Sequence, residues 1–387
     1  MRKKNDILKI SHIITGLSTG GAEIMLLKLV SGMDKKLFFN SIISLTKPGE
    51  IEKKFINIEI PTASLNLSSD FPNPLAFLKL ISLLHQEKPD IIQGWMYHAN
   101  IASTIGSYIS GLFVPVFWNI RNCLDETNKD KTLPKKIIKL SAYLSSAPVA
   151  IIYNSRISKT QHQKISFNNK KAEYIPNGFN CLQFKPNPAL RLEYRNKFGI
   201  HDKTICIGLI ARYHPVKDHE NFLKAAGLLT QNLSDIRFVL IGKGADWKNS
   251  VIVKLINELN LKKKSLLLGK QNNIHKLINI LDIAVSSSYI EGFPNAIGEA
   301  MASGIPCVVT NVGDSAYLVK NTGLITPPRD HYRLYSALKL LISIGKEKRI
   351  NLGKKARKRI EDNFSLEHIV DQYQKLYQKI IYKSYSD

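Results

Sequence analysis

The sequence predicts an α/β protein made of two similar lobes, each a parallel sheet covered by helices, facing each other across a cleft. Two observations carry this. Strand-like apolar runs alternate with helical stretches along the chain, the pattern of parallel strands joined by helical crossovers. That pattern stops at a turn-rich stretch near mid-chain and then starts again. With 387 residues, the chain is long enough for two ordinary domains with a core each.

In the first half the strand-like runs are 7–14, 40–45, 91–93, 114–118 and 149–153, with helical stretches near 22–32, 74–86, 99–110, 134–146 and 156–164. The break spans 175–188, where Pro176, Asn177, Gly178, Pro186 and Pro188 supply linker chemistry. The expected division is therefore 1–180 and 181–365. The second half holds strand-like runs 204–210, 237–241, 265–268, 282–286 and 306–309. Its helical stretches lie near 218–230, 247–259, 273–280, 294–303 and 331–343. From about Leu366 the chain is helical again, with Ile369, Tyr373, Leu376 and Ile380 at helical spacing, and this last helix is expected to join the first lobe.

Composition excludes some classes. Apolar residues make up 44%, a globular value, and no apolar run is long enough to span a bilayer. The first apolar stretch is broken by Lys9, Ser11 and His12, so it reads as a strand rather than a secretory signal. Cys123, Cys181, Cys206 and Cys307 are far apart and form no CxxC pair, which suits reduced thiols in a cytoplasmic protein. The net charge is +24, and it is shared: residues 1–190 carry 24 basic and 13 acidic groups, or +11, and the rest carries +13. Such a field attracts phosphorylated substrates or anionic lipid, although a plainly solvated basic surface accounts for it equally well. No zinc-finger spacing or RNA-binding aromatic signature is present, so nucleic acid is not expected as a partner.

The strongest local signal is the segment from Glu291 through Gly292, Phe293, Pro294 and Asn295 to Glu299, ending at Gly304. A strand-like run precedes it. Pro294 suits a first helical turn, and Gly304 with Pro306 suits a helix end. The chain thus passes from strand to loop to helix. The unpaired N–H groups at 293–296 then face the crevice at the carboxyl end of the sheet, where open α/β sheets bind ligands. Glu291 lies in the loop, and Glu299 about one and a half turns into the helix. Two acceptor-only carboxylates beside a helix start suit a ligand carrying hydroxyls and phosphates.

Arg212 and Lys217 follow the first strand of the second half and open a helix. A planar fork and a point charge five residues apart can grip a diphosphate. Gly20 and Gly21 end the loop after the first strand, where small residues let a backbone approach an anion at a helix start. His98 follows the 91–93 strand. Asn119 and Arg121 end the next one, with acceptor hydroxyls or a phosphate as candidate partners. Gly242-Lys243-Gly244 lacks the third glycine of a dinucleotide fingerprint.

These segments together resemble family 4 of the retaining glycosyltransferases. Glu291 to Glu299 matches its E-x7-E motif, and 211–218 looks like its G-R-x-x-x-x-K-G/D segment. Gly20-Gly21-Ala22-Glu23 looks like its N-terminal loop, and 311–315 resembles its loop after the next strand. The resemblance covers nearly the whole chain, with the motifs in the expected order. It implies the α/β GT-B fold, two facing Rossmann-like lobes with a cleft between them. It further implies that Arg212 and Lys217 stabilise the donor's pyrophosphate as it leaves, that His98 contacts the donor sugar, and that the loop at Gly242 lies near the nucleoside. The base is expected to meet the backbone at Gly269-Lys270-Gln271.

The activity this implies is transfer of a hexose or N-acetylhexosamine from a nucleotide sugar, with UDP as the expected carrier. Configuration at the anomeric carbon is retained, and the acceptor is a lipid-linked oligosaccharide or glycan in cell-surface polysaccharide or lipopolysaccharide synthesis. Glu299 is expected at the ribose hydroxyls and Glu291 at the sugar. There is no DxD motif, Walker A loop or HExxH, so neither a metal nor another cofactor is expected; cations and helix dipoles would neutralise the leaving group.

Residues 128–144 place Lys131, Lys135, Lys136 and Lys139 beside Leu133, Ile137, Ile138, Leu140 and Leu144, a pattern that can lie on the inner face of an anionic membrane. The same pattern also fits a core-facing helix. The basic run 354–359 reads as a solvated helix face. Two other readings stay open: a phosphorylase or sugar-nucleotide epimerase of the same fold, and a non-catalytic basic membrane or nucleic-acid adaptor. The intact Arg, Lys and paired Glu set argues against the latter.

Overall fold

The structure is a computed structural model and describes residues 6–18, 20–67, 74–124 and 132–383, without the side chains of 132–134 and 383. The chain divides into two compact units, Met1–Gly178 with Leu366–Asp387, and Phe179–Ser365. The second segment of the first unit is the C-terminal helix, Leu366–Lys383.

Among the described residues the first unit holds seven strands: β1 (Leu8–Ile14), β2 (Phe38–Thr46), β3 (Thr62–Leu67), β4 (Ile91–Trp95), β5 (Val116–Ile120), β6 (Ala150–Tyr153) and β7 (Ala172–Tyr174). They form one parallel sheet in the order β3-β2-β1-β4-β5-β6-β7. Side chains alternate between faces, so neighbours such as Ile42 and Ile43 enter different cores. One core packs strands against the helix Gly21–Gly32 and the C-terminal helix; the other packs them against the helices Pro74–Glu87 and Tyr97–Ile109.

The stripe on the C-terminal helix runs through Ile369, Tyr373, Tyr377 and Ile381 rather than through Leu376 and Ile380, which are only partly buried. Two tyrosines can sit there because their hydroxyls are satisfied: Tyr377 donates to Gln93 Oε1, and Tyr373 accepts from Asn119 Nδ2 at 2.8 Å. The same core buries His12. The Trp95 indole N–H donates to its Nδ1 at 3.2 Å, so Nε2 carries the proton toward Asn40 Oδ1 at 3.0 Å. Burial pushes its pKa down to about 4.

The second unit has six strands: β8 (Ile205–Ile210), β9 (Ile236–Ile241), β10 (Ser265–Gly269), β11 (Ile283–Ser286), β12 (Cys307–Thr310) and β13 (Gly323–Thr326), parallel in the order β10-β9-β8-β11-β12-β13. Sequence periodicity does not announce β3, β7 and β13. All three are sheet edges with mixed burial, so the apolar alternation that marks a central strand is weak in them. The helices Pro188–Lys197 and Gly345–Phe364 are likewise unannounced, being rich in charge.

The basic run 354–359 is only half solvated. Lys354, Lys355 and Lys358 are exposed. Arg357 donates to Phe184 O at 3.0 Å and Arg359 to Leu318 O at 2.8 Å, closing carbonyls of the same unit. No disulfide joins any of the four cysteines among the described residues.

Candidate active site

In the second sheet the chain leaves β8 in one direction and β11 in the other, so β8 and β11 flank the point where strand order reverses. Loops from the carboxyl ends of such a pair diverge and open a crevice. The loop after β8 carries Arg212 and Lys217, and the loop after β11 carries Glu291. They are stitched together: Tyr289 N–H donates to Val216 O at 3.0 Å, and Ser287 Oγ donates to Lys217 O and Asp218 O, both at 2.9 Å.

Lys217 Nζ lies 2.5 Å from Glu291 Oε1, with side-chain exposures of 23% and 12%. Ser288 Oγ donates to the same oxygen at 2.7 Å. Arg212 is exposed and makes no ion pair among the described residues. Thus one cation is held by a carboxylate and the other faces solvent. Asp218 takes φ +47° and accepts from Asn221 N–H, capping the helix His219–Thr230. That left-handed conformation explains why Gly or Asp suits the last position of the 211–218 segment.

The E-x7-E helix spans Asn295–Ala302, so it starts one residue later than the proline suggests. Pro294 is the extended cap with ψ 96°, not the first helical residue, and Gly298 N–H closes the first helical bond, to Pro294 O. Glu299, half-buried, therefore sits just over one turn in, rather than one and a half. Phe293 needs a further correction as a donor-binding residue. Its ring is buried between Phe179 and Phe364, with centroids 6.1 and 5.7 Å away, so only its backbone can meet a ligand.

Two glycines are explained by close approach. A Cβ on Gly298 would lie 1.9 Å from the Phe179 ring, so the helix rests flat on that ring. Gly313, in the 311–315 loop, has φ +51°, and a Cβ there would meet Glu291 O at 2.2 Å. Asp314 N–H donates to Gly292 O at 2.9 Å, so this loop backs the Glu291-Gly292 peptide. The loops at Gly242–Gly244 and Gly269–Gln271 follow β9 and β10 and are joined by Gly242 N–H to Gly269 O at 2.8 Å.

The first unit places its candidates at the carboxyl ends of β1, β4 and β5. Gly20 caps the helix Gly21–Gly32 without a side-chain bond. Glu23 folds back over that start, its Oε2 2.4 Å from where a Gly20 Cβ would be. Burial raises the Glu23 pKa against the pull of its own backbone N–H. The helix start is thus already faced by a carboxyl group, which spacing did not reveal. His98 is the second residue of the helix Tyr97–Ile109, whose cap Met96 carries φ +72°. It is exposed and makes no hydrogen bond or ring contact among the described residues, and desolvation by its surroundings lowers its pKa.

Asn119 does not open toward an acceptor. It is fully buried, and its side-chain amide is committed to Tyr373. Its Oδ1 accepts from Arg121 Nη1 at 3.1 Å, which makes it a strut under that guanidinium. Arg121 also donates to Tyr373 Oη at 3.4 Å and to Asn177 Oδ1, and it covers the Trp95 ring at 5.3 Å. Every one of these partners is neutral, and no carboxylate pairs with Arg121 among the described residues. Ser288, Thr310, Asn177 and Tyr373 are site neighbours that sequence reasoning missed. The only signal for Ser288 was its place in the serine run at the end of β11.

Residues 19–181 match the family described as Glycosyltransferase Family 4, and residues 191–359 match Glycosyl transferases group 1. The UDP-Gal:alpha-D-GlcNAc-diphosphoundecaprenol alpha-1,3-galactosyltransferase of Escherichia coli is 25% identical, over 97% of this chain and 98% of its own. The N-acetyl-alpha-D-glucosaminyl L-malate synthase of Bacillus anthracis is 24% identical, over 94% and 95%. Among solved structures, HepE of Anabaena in complex with UDP is similar with a TM-score of 0.83 at 20% identity, covering 96% of this chain and all of that one.

Proposed function

We propose, on the premise that this chain belongs to the family 4 glycosyltransferases and has their GT-B fold, that it moves a hexose or N-acetylhexosamine from a UDP-sugar with retention of anomeric configuration. The observation that carries this is the Lys217–Glu291 pair beside the start of the Asn295–Ala302 helix, at the sheet's reversal point. Arg212 and Lys217 neutralise the diphosphate as the bond from the anomeric carbon to its oxygen breaks and that oxygen keeps the electron pair. The acceptor oxygen then bonds to the anomeric carbon on the same face and gives its proton to the leaving phosphate. This requires no protein nucleophile and no cofactor beyond the nucleotide sugar. Glu299 holds the ribose hydroxyls, Glu291 binds the sugar, and His98 keeps the sugar contact that the family resemblance implies. HepE's complex with UDP-glucose and the UDP-Gal of the E. coli relative's name support UDP as the carrier.

The acceptor is a lipid-linked saccharide, consistent with the diphosphoundecaprenol of that same name. Arg121, held by neutral groups alone among the described residues, supplies a charge for its phosphate. A thermal-shift screen of nucleotide sugars tests the donor, because a ligand that binds only the folded state raises its stability. No shift with any UDP-sugar overturns the donor assignment. Glu299→Ala with donor affinity intact overturns the ribose role.

The chain rests on an anionic membrane through the first unit, in this reading. Among the described residues no helix is long and apolar enough to cross one. In the helix Thr132–Leu144 the apolar stripe is divided. Ile137, Ile138 and Leu144 pack inward, while Leu140 and Tyr143 stay exposed beside Lys135, Lys136 and Lys139; Lys131 and the Leu133 side chain lie outside the described residues. The helix that packs beside it adds exposed Tyr108 and Ile109. Sedimentation with anionic vesicles should show binding at low salt that high salt reverses; absent or salt-independent binding overturns this.

A further inference from the structure

The carboxylate of Glu291 has two oxygens, and the structure treats them differently. Oε1 receives both Lys217 Nζ, at 2.5 Å, and Ser288 Oγ, at 2.7 Å. Oε2 accepts no hydrogen bond from the protein among the described residues. The terminal torsion of a glutamate is broad and roughly two-fold, so by itself it does not select which oxygen faces a ligand. Two donors converging on one oxygen do select.

The serine is itself held. Ser288 is 2% exposed and Thr310 is fully buried. Thr310, the last residue of β12, donates from Oγ1 to Ser288 O at 2.5 Å. Gly313, three residues further on, lies against Glu291 O, where a Cβ would leave only 2.2 Å. The backbone at both ends of the Ser288–Glu291 turn is therefore fixed by the β12 strand and the loop after it. Ser287 has a different task, since its hydroxyl holds the Lys217 and Asp218 carbonyls.

We propose that Ser288, braced by Thr310, is a positioning residue. It commits Glu291 Oε1 to the Lys217 side and leaves Oε2 to accept hydroxyl donors of the transferred sugar. This rests on the assignment of Glu291 to the donor sugar. Ser288 carries no charge, so its contribution is orientation and not neutralisation of the diphosphate. Removing it should weaken what the enzyme gains from the sugar and leave what it gains from the nucleotide.

The test measures affinity for UDP and for UDP-glucose, UDP-galactose and UDP-N-acetylglucosamine by calorimetry, with turnover of the sugar that binds best. Ser288→Ala should keep UDP affinity within two-fold. It should lose about ten-fold of the affinity that the sugar adds, or about ten-fold in kcat, the size expected for one hydrogen bond to a charged group. Ser288→Thr, which keeps the hydroxyl, should restore most of it. Thr310→Val, close in shape but without the donor, should act in the same direction and more weakly, and Thr310→Ser should be near wild type. If Ser288→Ala lowers UDP and UDP-sugar affinity together, or lowers only the melting temperature, the role is merely structural and the proposal is overturned. A wild type that binds UDP but gains nothing from any sugar overturns it too. A wild type that binds no UDP at all overturns the donor reading itself, and the positioning role with it.

Discussion

The two units hold their candidate residues by opposite means. In the second, an ion pair dominates: Lys217 meets Glu291, a buried serine fixes the carboxylate, and flanking loops lock the backbone. In the first, none of the candidate residues forms an ion pair among the described residues. Arg121 is cradled by two amides, a phenol and an indole face, Glu23 folds over its own helix start, and His98 is open. A desolvated charge without a counter-ion is costly, so neutral cradling of Arg121 keeps its charge available for a ligand. A paired cation is instead preorganised, and must share its partner when the ligand arrives.

The harshest way to break this contrast is Lys217→Ala. In the proposed mechanism it removes a cation that neutralises the leaving group, and it leaves Glu291 without its Lys217 partner, so kcat should fall by about 100- to 1,000-fold, read in a coupled assay of UDP release; near-normal turnover would end the account of the second unit. Gly298→Ala comes next. The methyl would strike the Phe179 ring, and urea unfolding should show a loss of about 1–3 kcal/mol. A neutral result would mean that the helix does not rest on that ring. Arg121→Gln sharpens the first-unit half. Acceptor KM should rise about ten-fold while donor KM holds, as expected for one charged hydrogen bond lost. A change in donor KM alone would reassign the residue.

The smallest effect belongs to Glu23→Gln. Because folding raises the Glu23 pKa, its contribution is fully present below the unfolded value of 4.5 and is lost as pH rises through the folded one. The variant should therefore flatten the decline of stability above pH 4.5. At pH 7 it should gain less than about 1 kcal/mol, because the helix start's attraction for the carboxylate offsets part of the cost of burying it. Stability measured across pH 4–8 decides it, and a steeper decline in the variant would contradict the burial argument.

Much of the second-unit site was legible because its signals are local. A proline, two glutamates at fixed spacing and a glycine stop lie within fourteen residues just after a strand end, and Arg212 and Lys217 lie in one loop. What was misjudged there is a matter of which atoms face inward. Phe293 reads as part of the motif, yet its ring belongs to the core, and Pro294 reads as helical although its ψ keeps it outside. The first-unit residues were harder. Asn119 ends a strand, as expected, but no spacing reveals that a tyrosine 254 residues later takes its amide.

Alternating strands and helices, the break near residue 178 and the order of the motifs follow from local chemistry, because period, turn residues and helix caps act within a few positions. The sequence by itself therefore determined that there are two parallel sheets and which loops carry the charged residues. Only the tertiary structure decided that Oε1 of Glu291 receives both donors, that Arg121 is held by two amides, a phenol and an indole face, and that the last helix buries Tyr377 rather than Leu376. Each of these depends on a partner distant in sequence or on the rotation of a single side chain, and neither leaves a periodic trace in the chain.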